Sequence, residues 1–180
     1  EYQTSYAKVV GSVAAPTAGF HLTQKIRDEI EKNGGQIIEI TLHVGLGTFL
    51  PVKTTYLEDH TMHSEWVSLS KENSEIIMKA KKEHKRIIAI GTTTMRTLEG
   101  IASLYQGKLQ AYSGDIQVFI KPGFRFHVVD TLLTNFHLPK STLLVLVRTF
   151  GGDALLKHAY EEAIKNKYRF FSFGDAMFIT

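Results

Sequence analysis

The stretch Arg86-Ile-Ile-Ala-Ile-Gly-Thr-Thr-Thr-Met-Arg96 constrains the fold more than any other part of the chain. Residues 86–90 are few, β-branched and almost wholly apolar, the pattern of a strand covered on both faces. Gly91 then permits a sharp turn, and Thr92, Thr93 and Thr94 open a helix that runs to about residue 102. A buried strand that feeds directly into a helix is the repeating unit of layered α/β domains.

The flanking sequence continues the alternation. Residues 24–33 carry Ile26 and Ile30 among charges, with Thr23 as N-cap and Gly34-Gly35 as a stop, and so predict an amphipathic helix. Residues 36–44 and 65–69 read as strands, and Ser70 caps a helix over 71–85 whose buried stripe is Ile76, Ile77 and Ala80. Strands are expected at 115–120, 126–133 and 169–173, and helices at 141–148 and 153–167. Together these predict one α/β domain, a three-layer α/β/α arrangement with a mixed sheet. Ligands in such sheets sit beyond the carboxyl ends of the strands. The polar, glycine-containing segments fall there: after Val44 (GLGT, 45–48), after Ile90 and around Asn135.

Composition narrows the class further. With 180 residues, 43% hydrophobic, the chain has ample material for a packed core. No apolar run approaches the ~20 residues that span a bilayer. Cysteine is absent, which removes thiolate chemistry and fits a reducing, cytoplasmic setting. A net charge of +3 permits a nucleic-acid partner without demanding one. The chain opens at Glu1 with extended-type sequence and no secretory signal pattern, and is read as a piece of a longer protein.

Several clusters carry chemistry. At Gly91 the backbone admits a close ligand, and the free N–H groups at the helix start favour an anion or a ribose oxygen; a threonine-capped helix without ligand is the alternative. His60, His63 and Glu65 spell H-x-x-H-x-E, but on a strand the three do not converge, which argues against a metal and for acid–base or positioning work by His63 or Glu65. His43 and His137 lie at element ends, where a histidine either titrates for catalysis or is a hydrogen-bonded core residue. Asn135 to Lys140 combine a base-reading amide, a stacking ring and a cation. Lys121, Arg125 and Lys140 are the basic residues near these loops. Phe119, Phe124 and Phe126 alternate as core-filling strand residues do.

Six segments, in order, resemble the S-adenosylmethionine:tRNA ribosyltransferase-isomerase family of the queuosine pathway. They are YQTSYAKVVGSVAAPTAGFHLT (2–23), LHVGLGTFLPV (42–52), HTMHSEW (60–66), GTTTMRTLE (91–99), TNFHLPKSTLLVLV (134–147) and YRFFSFGDAM (168–177). The resemblance spans the chain. It departs at Phe20, where the family usually has Leu, and at Arg148-Thr149-Phe150-Gly151, where small residues are common.

Family members are about twice this length and carry a β-barrel inserted in the α/β domain. The resemblance therefore implies that residues 1–180 are the C-terminal part of the catalytic domain, without the N-terminal part and the barrel. It further implies transfer and isomerisation of the ribosyl group of S-adenosylmethionine onto an aminomethyl-deazaguanine at the tRNA wobble position. Epoxyqueuosine, adenine and methionine are the products. S-adenosylmethionine is a co-substrate, no metal is required, and the tRNA anticodon stem-loop is the partner.

On this chain the resemblance makes Gly91, Thr92, Thr93, Thr94, Arg96 and Glu99 the cradle for S-adenosylmethionine. His43, His63 and His137 become acid–base candidates, and Asp175 a charge partner. Lys121, Arg125, Lys140 and Asn135 are assigned to RNA. The competing readings are a tRNA- or nucleotide-binding fragment without turnover, and an ordinary methyltransferase, whose glycine-rich loop after a first strand is missing.

Overall fold

The computed structural model describes residues 3–45 and 51–180. Two three-stranded sheets share one central helix. β1 (Thr41–His43), β2 (Glu65–Leu69) and β4 (Tyr112–Ile116) form an antiparallel sheet in the order β1-β2-β4. β3 (Ile88–Ile90), β5 (Thr131–Asn135) and β6 (Ala176–Ile179) form the second, in which β3 and β5 are parallel and β6 is antiparallel. The expected α/β class and mixed sheet are therefore present, with the strands divided between two sheets.

The helices begin where the capping chemistry places them. The Thr23 hydroxyl accepts the Ile26 N–H at the start of α1 (Gln24–Lys32), and Ser70 accepts from Asn73 at the start of α2 (Lys71–Lys82). Ser141 accepts from Leu144 at the start of α4 (Thr142–Gly151), which turns at Gly152 into α5 (Asp153–Lys165). Such caps contribute about 1 kcal/mol each.

α3 (Thr92–Leu104) is buried almost all round, from Thr92 to Ala102, and packs against β1, β3, β4, β5 and α4. Met95, Leu98 and Ile101 join Val67, Leu69, Leu132, Leu146 and Val147 in one core. Gly100 is the point of closest approach: a Cβ there would meet Ile116 Cγ2 at 2.5 Å.

Strand extents depart from the sequence pattern for traceable reasons. Of residues 36–44, only Thr41–His43 lie in a ladder, with Val44 bridging Ala14. The preceding residues bind α2 instead, where the Asn73 amide donates to the Glu39 carbonyl at 2.7 Å. β4 ends at Ile116, opposite Glu65, because β2 supplies no further partner. In 126–130 the amides of His127, Val128 and Val129 donate to the Glu99 carboxylate, so pairing with β3 starts only at Thr131.

Residues 169–173 are a loop, not a strand. Phe171 has φ of 71°, and the final strand comes later, at β6. β3 is covered on one face only: Ala89 is buried, whereas Ile88 is 44% exposed beside a groove of about 630 Å³ between α1, α2 and residues 36–40. Of the glycine loop expected at 45–48, residues 46–48 lie outside the described residues.

Candidate functional site

The carboxyl ends of β3 and β5 meet the start of α3. Gly91 caps that helix with φ of 92° and supplies no side-chain acceptor, so the first amides of α3 are left to other partners. The Gly91 N–H donates to the Leu133 carbonyl at 2.8 Å, which fixes the turn on the sheet. A Cβ at Gly91 would stand 3.6 Å from Ala18 Cβ. Ala18 belongs to a 3-10 turn, Thr17–His21, laid across the end of β5.

That turn brings in two residues the sequence reading did not select. Asn135, the last residue of β5, is buried; its amide nitrogen lies 3.0 Å from His21 Nε2, and its oxygen accepts from the Thr17 hydroxyl at 3.4 Å. Asn135 is thereby committed to a buried polar network rather than to an RNA-facing surface. The only signal in the sequence was the PTAGFHLT segment, a polar turn between two helix caps.

Asp175 lies next to this network, since Ala176 pairs with Asn135. Its carboxylate accepts the Arg169 backbone N–H at 2.7 Å and the Arg169 guanidinium at 3.0 Å. Those bonds hold the Asp175 carboxyl below its usual range, with His21 adding to the effect.

A buried ion pair lies behind the start of α3. Arg96 Nη1 is 3.0 Å from Glu65 Oε2, and the two side chains are 5% and 8% exposed. The contact is off the N–H axis. Arg96 Nε and Nη1 donate to no acceptor among the described residues. Burial pushes the Arg96 pKa down, opposed by Glu65. Both donors are sealed from solvent, with the Glu65 carboxylate as their counter-charge.

The other candidates are spread out. Glu99 is fully buried and both carboxylate oxygens accept backbone amides, so it orders the 127–129 loop from inside the core. His43 opposes Trp66 and packs on its ring at 4.8 Å, against Gly11. Because β2 buries Glu65, Val67 and Leu69 on one side, His43 and Trp66 occupy the opposite face from Arg96. His63 is exposed ahead of β2.

His137 is buried, its Nε2 3.1 Å from the Thr134 hydroxyl and its backbone N–H donating to Tyr160 Oη at 2.9 Å. Among the described residues no group of three or more His, Cys, Asp and Glu is placed to hold a metal. Lys140 is exposed at the start of α4 and Arg125 is exposed near its far end, where Phe126 packs on Phe150. Ten residues of helix separate those ends by roughly 13 Å. Lys121 sits apart, 4.0 Å from Glu58. The three cations form no single patch. Of the two departures, Phe20 stacks on Phe173 at 6.1 Å, and Arg148 pairs with Asp153 at 2.6 Å across the α4–α5 corner.

Burial pushes the His137 pKa down to about 4 from 6.5. The unfolded chain therefore binds this proton first as pH falls, and the native state loses stability between about pH 6.5 and 4. The full effect is roughly 3 kcal/mol. Urea unfolding at pH 7 and pH 4.5 checks this: His137→Gln should flatten the pH dependence in that window, and an unaltered slope would count against it.

The chain covers 51% of the crystal structure of S-adenosylmethionine tRNA ribosyltransferase from Thermotoga maritima, with a TM-score of 0.75 and 42% sequence identity over 91% of its own length. It thus spans about half the length of that protein. Residues 1–179 match the family described as queuosine biosynthesis protein, and the chain belongs to that family.

Proposed function

We propose that the intact protein carrying this sequence is an S-adenosylmethionine:tRNA ribosyltransferase-isomerase. It moves the ribosyl group of S-adenosylmethionine onto 7-aminomethyl-7-deazaguanine at the tRNA wobble position and releases adenine and methionine. Family membership over residues 1–179 carries the reading, and the uncapped start of α3 with Arg96 behind it is the structural observation that favours it.

The residues suit the demands of the chemistry. The methionyl carboxylate is an anion, which the Thr92, Thr93 and Thr94 amides at the start of α3 can receive while the Arg96 guanidinium adds positive charge from within the helix. The sulfonium is a cation and favours a nearby carboxylate or aromatic face, which Asp175 and Phe20 can supply. It acidifies the adjacent ribosyl carbon, so a base of near-neutral pKa suffices to remove a proton there. Adenine departs well only when a donor meets its nitrogen. Among the sequence candidates His137 is enclosed, His43 packs on Trp66 on the face opposite Arg96, and His63 is exposed ahead of β2. Pro51 bridges Ser141, and the Val52 N–H donates to the Lys140 carbonyl. Lys121, Arg125 and Lys140 are assigned to phosphates of the anticodon arm, each adding about one unit to the salt dependence.

Full-length protein incubated with S-adenosylmethionine and precursor-modified tRNA should release adenine in step with modified tRNA. Tight binding of both substrates with no adenine above background would favour the non-catalytic reading, and methylated tRNA would favour a methyltransferase.

A further inference from the structure

We propose that His21 carries protons for the reaction, with its Nδ1 as the working nitrogen and Asn135 and Thr17 setting its tautomer. This rests on the ribosyltransferase reading above and adds the residue that reading lacks. His21 ends the Thr17–His21 turn between the Gly91 turn of α3 and the Asp175 loop, and is only half-buried. It is neither sealed in the core, as His137 is, nor on the far face of β1, as His43 is, and its turn sets Ala18 against Gly91.

The hydrogen-bond chain defines its chemistry. The Thr17 hydroxyl donates to Asn135 Oδ1, and Asn135 Nδ2 donates to His21 Nε2 at 3.0 Å. Nε2 must then be the acceptor, so the ring proton of neutral His21 sits on Nδ1. Reversing the Asn135 amide exchanges the roles. Nε2–H then donates to Oδ1, Nδ2 donates to the Thr17 oxygen, and Nδ1 is left with a lone pair. A threonine hydroxyl serves equally as donor or acceptor, so both arrangements satisfy the same groups. The imidazolium also fits the second arrangement.

A proton carrier needs this tolerance. In the reversed state Nδ1 takes the proton from the ribosyl carbon next to the sulfonium, and the carbon keeps the electron pair. That pair forms a C4′–C5′ double bond as C4′–O4′ breaks, and O4′ closes a carbonyl on C1′ as the C1′–adenine bond breaks. The electrons of that last bond leave on the adenine nitrogen, to which the same Nδ1 returns the proton. His21 ends neutral and no proton is gained or lost by the protein. The charged groups that face His21 among the described residues are Asp175 and, through it, Arg169. The carboxylate stabilises the transient imidazolium, and Arg169 limits that effect by sharing it.

The test uses the full-length enzyme in single turnover with S-adenosylmethionine and precursor tRNA. His21→Gln keeps an acceptor for Asn135, and should slow adenine release by about 10²–10⁴-fold while the Kd for S-adenosylmethionine changes less than about threefold. The limb of the wild-type pH–rate profile that reports this proton transfer should vanish with it. Asn135→Asp places a carboxylate against Nε2 and should raise that limb by about one pH unit or more; a merely structural residue would leave it in place. Circular dichroism verifies folding, and if His21→Gln fails to fold, Asn135→Asp decides alone. Release within threefold of wild type in His21→Gln, or an unmoved limb in Asn135→Asp, overturns the assignment. Absence of adenine release by the wild type would instead overturn the ribosyltransferase reading, and the His21 role with it.

Discussion

Glu99→Ala is expected to lower the unfolding free energy by roughly 3–6 kcal/mol, because the backbone N–H groups of His127, Val128 and Val129 would lose their acceptor inside the core. An unsatisfied buried donor costs about 1–3 kcal/mol, and bonds to a charged acceptor lie toward the upper end. A domain of this size has about 5–15 kcal/mol to lose. The bonds grade the outcome. Val128 and Val129 both bind Oε1, at 2.9 and 2.8 Å, whereas His127 alone binds Oε2, at 2.8 Å. Glu99→Gln can keep the shared oxygen and forfeit only the His127 bond, so it should cost less than half as much as the alanine. Urea denaturation of the three proteins measures the series. Equal stability of wild type and Glu99→Ala would show that the 127–129 loop finds its acceptors elsewhere.

The second large effect concerns the Arg96–Glu65 pair. Glu65→Ala leaves a guanidinium that is almost wholly buried with no counter-charge, which typically costs about 3–5 kcal/mol. Replacing both partners by apolar residues of similar volume, Glu65→Leu with Arg96→Met, should recover most of that loss, because neither charge then has to be desolvated. The double variant should nevertheless bind S-adenosylmethionine at least tenfold more weakly, since the positive charge that Arg96 adds from within α3 goes with it. Denaturation and calorimetric titration on the same samples separate the two effects. Full affinity in the double variant would mean that Arg96 serves the fold alone.

Helices were legible because their signals are local. Thr23, Ser70 and Ser141 each mark a start, and a hydroxyl needs only its own next turn to act as a cap. Strand limits were not, because a ladder ends where its partner ends: Ile116 stops opposite Glu65, and 36–40 spends its carbonyl on Asn73. The 169–173 segment looks extended by composition, but Asp175 reaches back to the Arg169 amide and closes it into a loop.

The same divide runs through the site. Gly91 and its threonines stood out because a strand, a glycine and a helix start are adjacent in the chain. Asn135 was noticed but given to RNA, since nothing local foretold that Thr17 and His21, 118 and 114 positions away, would enclose it. Glu99 stands in the same sequence motif, but the amides its carboxylate binds lie 28 to 30 residues downstream, and only the packing of α3 brings them within reach.

The position of α3 also bears on how the molecule comes apart. Both sheets pack on the same thirteen residues of helix, whose buried side chains join them in one core. Pulling that helix away from one sheet exposes the other at once. Partial disassembly thus gains little chain entropy before it loses most of the buried area, and melting proceeds as a single event rather than sheet by sheet.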